Sequence, residues 1–369
     1  PENAARVAGV ALPHDWLIAD VASFTRSSER WYRRSLDCSC LKGDERLFID
    51  FDGVYQECTL SVNGVEALTH HYGYTAFHHD ITDLVTPTAD NEVTVHVQYH
   101  FPSGRWYTGA GIYRDVRLIA KGPRHFAIDG IAISTRHYDG TWHWDATAQV
   151  VADCPYQTRH TLLDDGLPIE AWDVDNPVLY RLKSELICAG EVVDTEYTTF
   201  GFRTIDFDSD HGFFLNGRPL KLKGVCLHHD LGSLGSACRS EALERQLRLM
   251  KEMGANAIRT AHNPPSAHLY ALCDRLGLLV VSEFTDVWNL AKNRWDYSSH
   301  FAACMESDVE SWIRRGRNHP SLIMWSIGNE IADTHLDPPA ATETIARFLS
   351  LIARYDPHHR APPTLCSNY

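Results

Sequence analysis

The stretch Ser321–His335, SLIMWSIGNEIADTH, runs through a mostly apolar segment straight into Gly328-Asn329-Glu330. A continuous apolar run of this length reads as a strand buried on both faces. An acid therefore stands where the strand stops, with an amide beside it. What surrounds this strand decides what the acid is for.

The same pattern recurs upstream. GFFLNGRPLKLKGVCLHHD (212–230) precedes a helix of period 3.6 with Leu243, Leu247 and Met250 on one face, Ser240 as its N-cap and Gly254 as its stop. Strand NAIRTAHNPP (256–265), helix SAHLYALCDRLG (266–277) and strand LLVVSEF (278–284) follow. A third helix places Phe301, Met305, Val309 and Trp312 on one face. After the quoted stretch come helix ETIARFLSLIARYD (343–356) and PTLCSNY (363–369). Four strand–helix alternations demand a parallel sheet. A (β/α)8 TIM barrel takes roughly 250 residues, so residues 207–369 fit the first half of one.

The rest of the chain reads as antiparallel β. NEVTVHVQY (91–99) alternates Val93, Val95, Val97 and Tyr99 with Thr94, His96 and Gln98, the period of a half-buried strand. LFIDFDGVYQECTLSVNGVEA (47–67) adds strands around a tight turn at Asn63-Gly64. AKGPRH (120–125) marks a boundary. IDGIAISTRHY (128–138), TWHWDATAQVV (141–151) and SELICAGEVVDTEYTTFGFR (184–203) form a second, smaller sandwich. The expected division is 1–120, 121–206 and 207–369, a multidomain β plus α/β protein.

Bulk properties exclude several classes. The 369 residues are 44% hydrophobic and 22% charged, the composition of a globular protein. No apolar run approaches the roughly 18 residues of a spanning helix, so no membrane partner is expected. A net charge of −14 argues against nucleic acid. The ten cysteines include no Cys-x-x-Cys pair, and CSC (38–40) alternates like a strand, so they read as small core residues of a reducing compartment. No signal peptide is visible, and the expected location is cytoplasmic.

Polar residues gather where the four barrel strands end: His228, His229 and Asp230; His262 and Asn263; Glu283 and Asp286; Asn329 and Glu330. Parallel strands point these ends to one face, where barrel enzymes build their sites. The adjacent residues of HHD point to opposite sides of a strand, and metal-ligand spacings are lacking, so no metal is expected. Phosphate-binding glycine loops and a Gly-x-Ser-x-Gly elbow are missing too. Acid–base chemistry remains. Glu330 either caps the next helix or, desolvated beside Trp325, carries a raised pKa and a proton suited to a departing glycosidic oxygen.

MWSIGNEI (324–331) with RRGRNHPS (314–321) resembles the acid/base signature of glycoside hydrolase family 2, the β-galactosidase and β-glucuronidase family. LKGVCLHHDLGSLG (222–235), MKEMGANAIRTAHNPP (250–265), LCDRLGLLVVSE (272–283), RWYTGAGIYRDV (105–116) and WDVDNPVLY (172–180) resemble it in the same order, over nearly the whole chain. The resemblance implies a jelly-roll β-sandwich, an immunoglobulin-like β-sandwich and the N-terminal half of a TIM barrel. It further implies retaining hydrolysis of terminal β-D-galactosides, with β-glucuronidase, another β-glycosidase, or a non-catalytic carbohydrate-binding protein as alternatives.

Carried over by position, Glu330 is the general acid/base and Asn329 contacts the sugar 2-hydroxyl. His228 and His262 line the sugar pocket, and Asp286 and Trp288 of SEFTDVW (282–288) flank it. The resemblance implies no cofactor. Its nucleophilic glutamate lies beyond Tyr369. Arg105 stands where better-known members put a substrate-facing Asp, the acid-and-histidine Mg²⁺ site is not reproduced after Glu283, and LLDDGLPIEAWDVDNP (162–177) is shorter than usual. Half a barrel leaves unpaired strand edges, so a homo-oligomer is expected.

Overall fold

A computed structural model describes residues 9–39, 41–87, 90–163, 166, 168–358 and 360–367. Cys40, Asp164, Asp165, Leu167, Asn368 and Tyr369 of the stretches singled out above lie outside them.

The first unit contains β1 (Ser28–Asp37), β2 (Arg46–Phe51), β3 (Glu57–Val62), β4 (Val65–His70), β5 (Phe77–Asp80), β6 (Asp90–Tyr99) and β7 (Val116–Lys121). They form two antiparallel sheets, ordered β1-β6-β3-β4 and β5-β2-β7. The alternation read in β6 is real, since Val93, Val95, Val97 and Tyr99 are all buried. Asn63 and Gly64 both take positive φ, 52° and 79°, which lets a two-residue turn match the twist of β3 and β4. The next unit contains β8 (His125–Tyr138) and β9 (Thr141–Val151), paired with each other, and β10 (Tyr156–Leu163), β11 (Tyr180–Cys188) and β12 (Glu191–Phe200) in a second sheet. Phe126, Ile133, Leu182, Leu186 and Phe200 fill the space between these sheets.

A small sheet of β13 (Ile205–Asp208), β14 (Gly212–Leu215) and β15 (Arg218–Pro219) leads into the α/β region. There β16 (Gly224–Leu227), β17 (Ala257–Thr260), β18 (Leu279–Glu283), β19 (Leu322–Asn329) and β20 (Pro363–Cys366) lie side by side in chain order, each parallel to the next. The connections carry α1 (Ser240–Glu252), α2 (Ala267–Leu276), α3 (Ser298–Gly316), α4 (Asp333–Leu336) and α5 (Pro338–Tyr355). This is the opening of a TIM barrel behind two β-sandwich units.

The helices follow their sequence patterns, with one shift. Ser240 is the first helical residue of α1, and Arg239 is the cap, without a side-chain bond to the helix. A missing cap costs about 1 kcal/mol. Burial of Leu243 and Leu247 contributes about 1.5–3 kcal/mol each, so packing and not capping holds α1. Ser266 does cap α2, accepting from Leu269 N, and Gly277 ends it in the left-handed conformation. Phe301, Met305, Val309 and Trp312 of α3 are all buried.

The first sandwich is locked onto the barrel. Buried Arg114 donates to Tyr74 O (2.9 Å) and to Pro264 O (2.8 Å), joining a sandwich loop to the loop after β17. Arg315 of α3 reaches Asp50 and Asp52 of the first unit. These ties carry the 101–108 segment to the C-terminal ends of the barrel strands, where the polar residues gather.

Candidate active site

Parallel register brings the strand mouths together. Asn329 ends β19 and Glu330 leaves it with φ of 46°, a left-handed conformation that costs a β-carbon-bearing residue about 1 kcal/mol or more. Its N–H donates to Cys366 O at 2.8 Å, and Asn329 N donates to Thr285 O at 3.0 Å. Backbone strain thus stands at the acid that follows directly on β19.

Glu330 faces the first sandwich unit across the mouth. Arg105 Nη1 donates to Glu330 Oε2 at 3.0 Å, and the other edge of the guanidinium forks onto Asp286 at 2.8 and 2.6 Å. Asp286 also accepts from Asn329 Nδ2 (2.8 Å) and from Lys292 Nζ (3.0 Å). Burial pushes the Asp286 carboxyl up, but Arg105, Asn329 and Lys292 outweigh it and hold the group below its ordinary value. Burial lowers Lys292, and Asp286 restores only part of that. Lys292 Nζ also donates to Asn329 O at 2.9 Å.

Behind this lies Glu283, fully buried. It accepts from Arg259 (2.9–3.1 Å), from Ser326 Oγ (2.6 Å) and pairs with His262 Nδ1 (2.6 Å). Arg259 Nη2 continues to Asn329 Oδ1 at 2.7 Å. Trp106 packs edge-on against both His228 and His262, at 5.1 and 5.4 Å between ring centroids. Burial, and secondarily His262, lowers the pKa of His228, which favours its neutral ring. His228 Nδ1 is buried without a hydrogen-bond partner among the described residues. Its neighbour His229 is a structural residue, bonded to Thr108 O at 2.8 Å and pushed down by burial to about 4. A small cavity opens beside Trp106, His262 and Asp286.

Glu330, Asn329, Asp286, His262 and His228 therefore belong to one contiguous set of contacts. Trp288 does not. It is fully buried, its indole N–H donates to Ile327 O at 3.0 Å, and its ring lies against Phe348. The pocket-flanking role read for it is corrected to a core role, because its ring packs against Phe348 and its N–H is taken up by Ile327 O. The environment read for Glu330 also changes. Trp325 points away, bonded to Asp356 at 3.2 Å and packed on Trp312, while the Glu330 side chain is 38% exposed and ion-paired to Arg105. Alternation of side chains along β19 separates the two.

Three participants carried no assigned role in the sequence: Arg259, Lys292 and Trp106. Arg259 had a signal, a cation in the strand whose end bears His262. Lys292 had none, since its contacts depend on the fold of the 284–297 loop.

The family model for the TIM barrel domain of glycosyl hydrolases family 2 matches residues 209–360, and the model named for glycosyl hydrolases family 2 matches residues 133–203. The chain is 35% identical to beta-galactosidase BoGH2A of Bacteroides ovatus, over 90% of this chain and 44% of that protein. It is 29% identical to a beta-glucuronidase of Bacteroides fragilis, over 97% of this chain and 58% of that protein. It superposes with a TM-score of 0.90 and 32% identity on the crystal structure of a glycosyl hydrolase family 2 member from Bacteroides cellulosilyticus, covering 97% of this chain and 52% of the other. The chain spans about half the length of the relatives it matches. On the matched motifs, the shared fold and the strand-mouth geometry together, this chain belongs to glycosyl hydrolase family 2.

Proposed function

We propose that this chain supplies the proton-donating half of a retaining glycoside hydrolase acting on terminal β-D-galactosides, with Glu330 as general acid/base. The observation that carries the reading is Glu330 itself. It is a carboxyl at the mouth of β19, in a strained backbone position, reachable from solvent and, among the described residues, held by one side-chain ion pair, to Arg105. For Oε2 to reach a glycosidic oxygen only the Arg105 Nη1 bond must break; the fork onto Asp286 stays. Because the guanidinium is a planar, rigid fork, it is the Glu330 carboxylate that swings clear while Arg105 stays on Asp286. Asn329, fixed between Arg259 and Asp286, presents an amide beside the acid for a sugar hydroxyl. His228 and His262 wall the pocket.

Retention needs a second carboxyl about 5–5.5 Å from the first. Glu283 is a poor candidate, since Arg259, His262 and Ser326 engage its oxygens and it has no solvent contact. On this reading the nucleophile stands on a later strand, beyond Tyr369, in the whole protein. The division into units 1–120, 121–206 and 207–369 belongs to the same proposal; its cuts fall in the last residues of β7 and within β13.

A β-glucuronidase reading draws on one observation, the two cations Arg105 and Lys292 near Glu330, which resemble a counter-charge for a uronate. Each is already matched by a carboxylate, Asp286 or Glu330, so a substrate anion would meet a neutral group of four. The galactoside reading is therefore preferred. Comparing kcat/KM of the intact protein on aryl β-galactoside and aryl β-glucuronide decides between them. Glycan binding without turnover on either would instead establish the carbohydrate-binding alternative and overturn the enzymatic one.

A further inference from the structure

Away from the strand mouths, three segments distant in sequence converge at the junction of the first sandwich and the barrel. Glu57 opens β3, His71 follows β4, and His300 lies in the first turn of α3. Glu57 Oε2 lies 3.2 Å from His71 Nδ1, and Oε1 lies 3.3 Å from His300 Nε2. All three candidate ligand atoms lie within 4.8 Å of one another. A third ring, His100 just after β6, brings its Nε2 to 3.9 Å from Glu57 Oε1.

We propose that Glu57, His71 and His300 form a transition-metal site of the zinc class, with His100 within reach as a fourth ligand. The donor set is one carboxylate and two or three imidazoles, which suits Zn²⁺, and disfavours Mg²⁺ and Ca²⁺ with their all-oxygen shells. Zinc–ligand bonds of about 2.0–2.1 Å in a tetrahedron place neighbouring donor atoms about 3.3–3.4 Å apart. His71 to Oε2 and His300 to Oε1 of Glu57 are each near that spacing, one to each carboxylate oxygen, and both exceed the roughly 2.7–2.9 Å of a charge-assisted hydrogen bond. The four side chains are 20–30% exposed, so an ion has access and the ligands keep support. One adjustment is needed. His71 and His300 stack with centroids 4.0 Å apart at 10°, which aims their in-plane lone pairs side by side. His300, partly exposed at the start of a helix, must turn its ring so that both nitrogens converge.

The position gives the site a structural consequence. His71 also lines the cavity that holds Asp286 and His262. His100 stacks on Trp295, whose N–H bonds Pro102 O at 3.1 Å, and that loop also carries Lys292. A bound ion would cross-link the sandwich to α3 and stiffen the loop that delivers Lys292 to Asp286. Local sequence spacing could not show this, because each ligand comes from a different stretch.

The test is Co²⁺ titration of the metal-stripped protein followed by visible absorption, with Zn²⁺ competition and thermal unfolding. One saturable equivalent with the intense bands of four-coordinate Co²⁺, displaced by Zn²⁺ and raising the unfolding temperature, is expected. His300→Gln and Glu57→Gln should each weaken binding by more than about tenfold, the loss known for removing a mere supporting partner of a ligand. His211→Ala, at an exposed His–Asp pair elsewhere, should leave it unchanged. Failure to find an equimolar site, or a site that survives in a folded His300→Gln or Glu57→Gln variant, would overturn the proposal.

Discussion

Two carboxylates stand at neighbouring strand ends, and their surroundings divide the labour. Glu283 at the end of β18 is sealed from water and gripped by Arg259, His262 and Ser326. Glu330, after β19, is 38% exposed with Arg105 as its ion-pair partner. A buried ion pair whose partners are all engaged fixes geometry, and breaking it is costly. An exposed carboxyl with a breakable contact can approach a substrate. Position at a strand mouth is common to both, so position alone does not mark the acid. The number of partners and access to water do.

The sharpest way to break this contrast is Glu330→Gln in the intact protein. If Glu330 is the proton donor, turnover of substrates with poor leaving groups falls by about 10²–10⁴-fold, while activated aryl glycosides, which need no protonation, lose far less. Equal losses on both classes would remove the role. Glu283→Gln tests the other member. Removing the charge leaves Arg259 facing a neutral amide, and a cost of about 3 kcal/mol in urea unfolding is expected, the low end for a broken buried pair because Arg259 keeps some solvent. An unaltered midpoint would show that Glu283 is not the anchor.

Acid sensitivity gives a smaller effect. The carboxyl of Asp286 is held below its ordinary value in the folded state, so its stabilising contribution is full above the unfolded pKa near 3.8 and is lost as pH falls through the folded value. Asp286→Asn should therefore flatten the decline of unfolding temperature below about pH 4. A decline as steep as that of the unaltered protein would contradict the assignment. Smallest in stability is Arg105→Ala. Its guanidinium is 38% exposed, and the change should cost under about 1 kcal/mol in unfolding while shifting kcat and KM. A large loss of stability with kinetics unaffected would make Arg105 a brace and not a partner of the acid.

Much of this was legible in the chain before folding. Apolar runs closed by polar residues placed Glu330, Asn329, His262 and His228 at strand ends, and one-way strand direction then put them on one face. Alternation identified β6, and the 3.6 period identified the buried faces of α1 and α3. Such patterns are local, and local patterns follow from backbone geometry that every chain shares. What tertiary structure alone decided was partnership across long separations. Arg105 meets Asp286 and Glu330 across 181 and 225 residues, and Glu57 meets His300 across the sandwich–barrel junction. Trp288 turned into the core, and Glu330 turned away from Trp325 toward water. Those outcomes rest on which surfaces pack together, and no spacing along the chain encodes the distance between two side chains that only packing brings into contact.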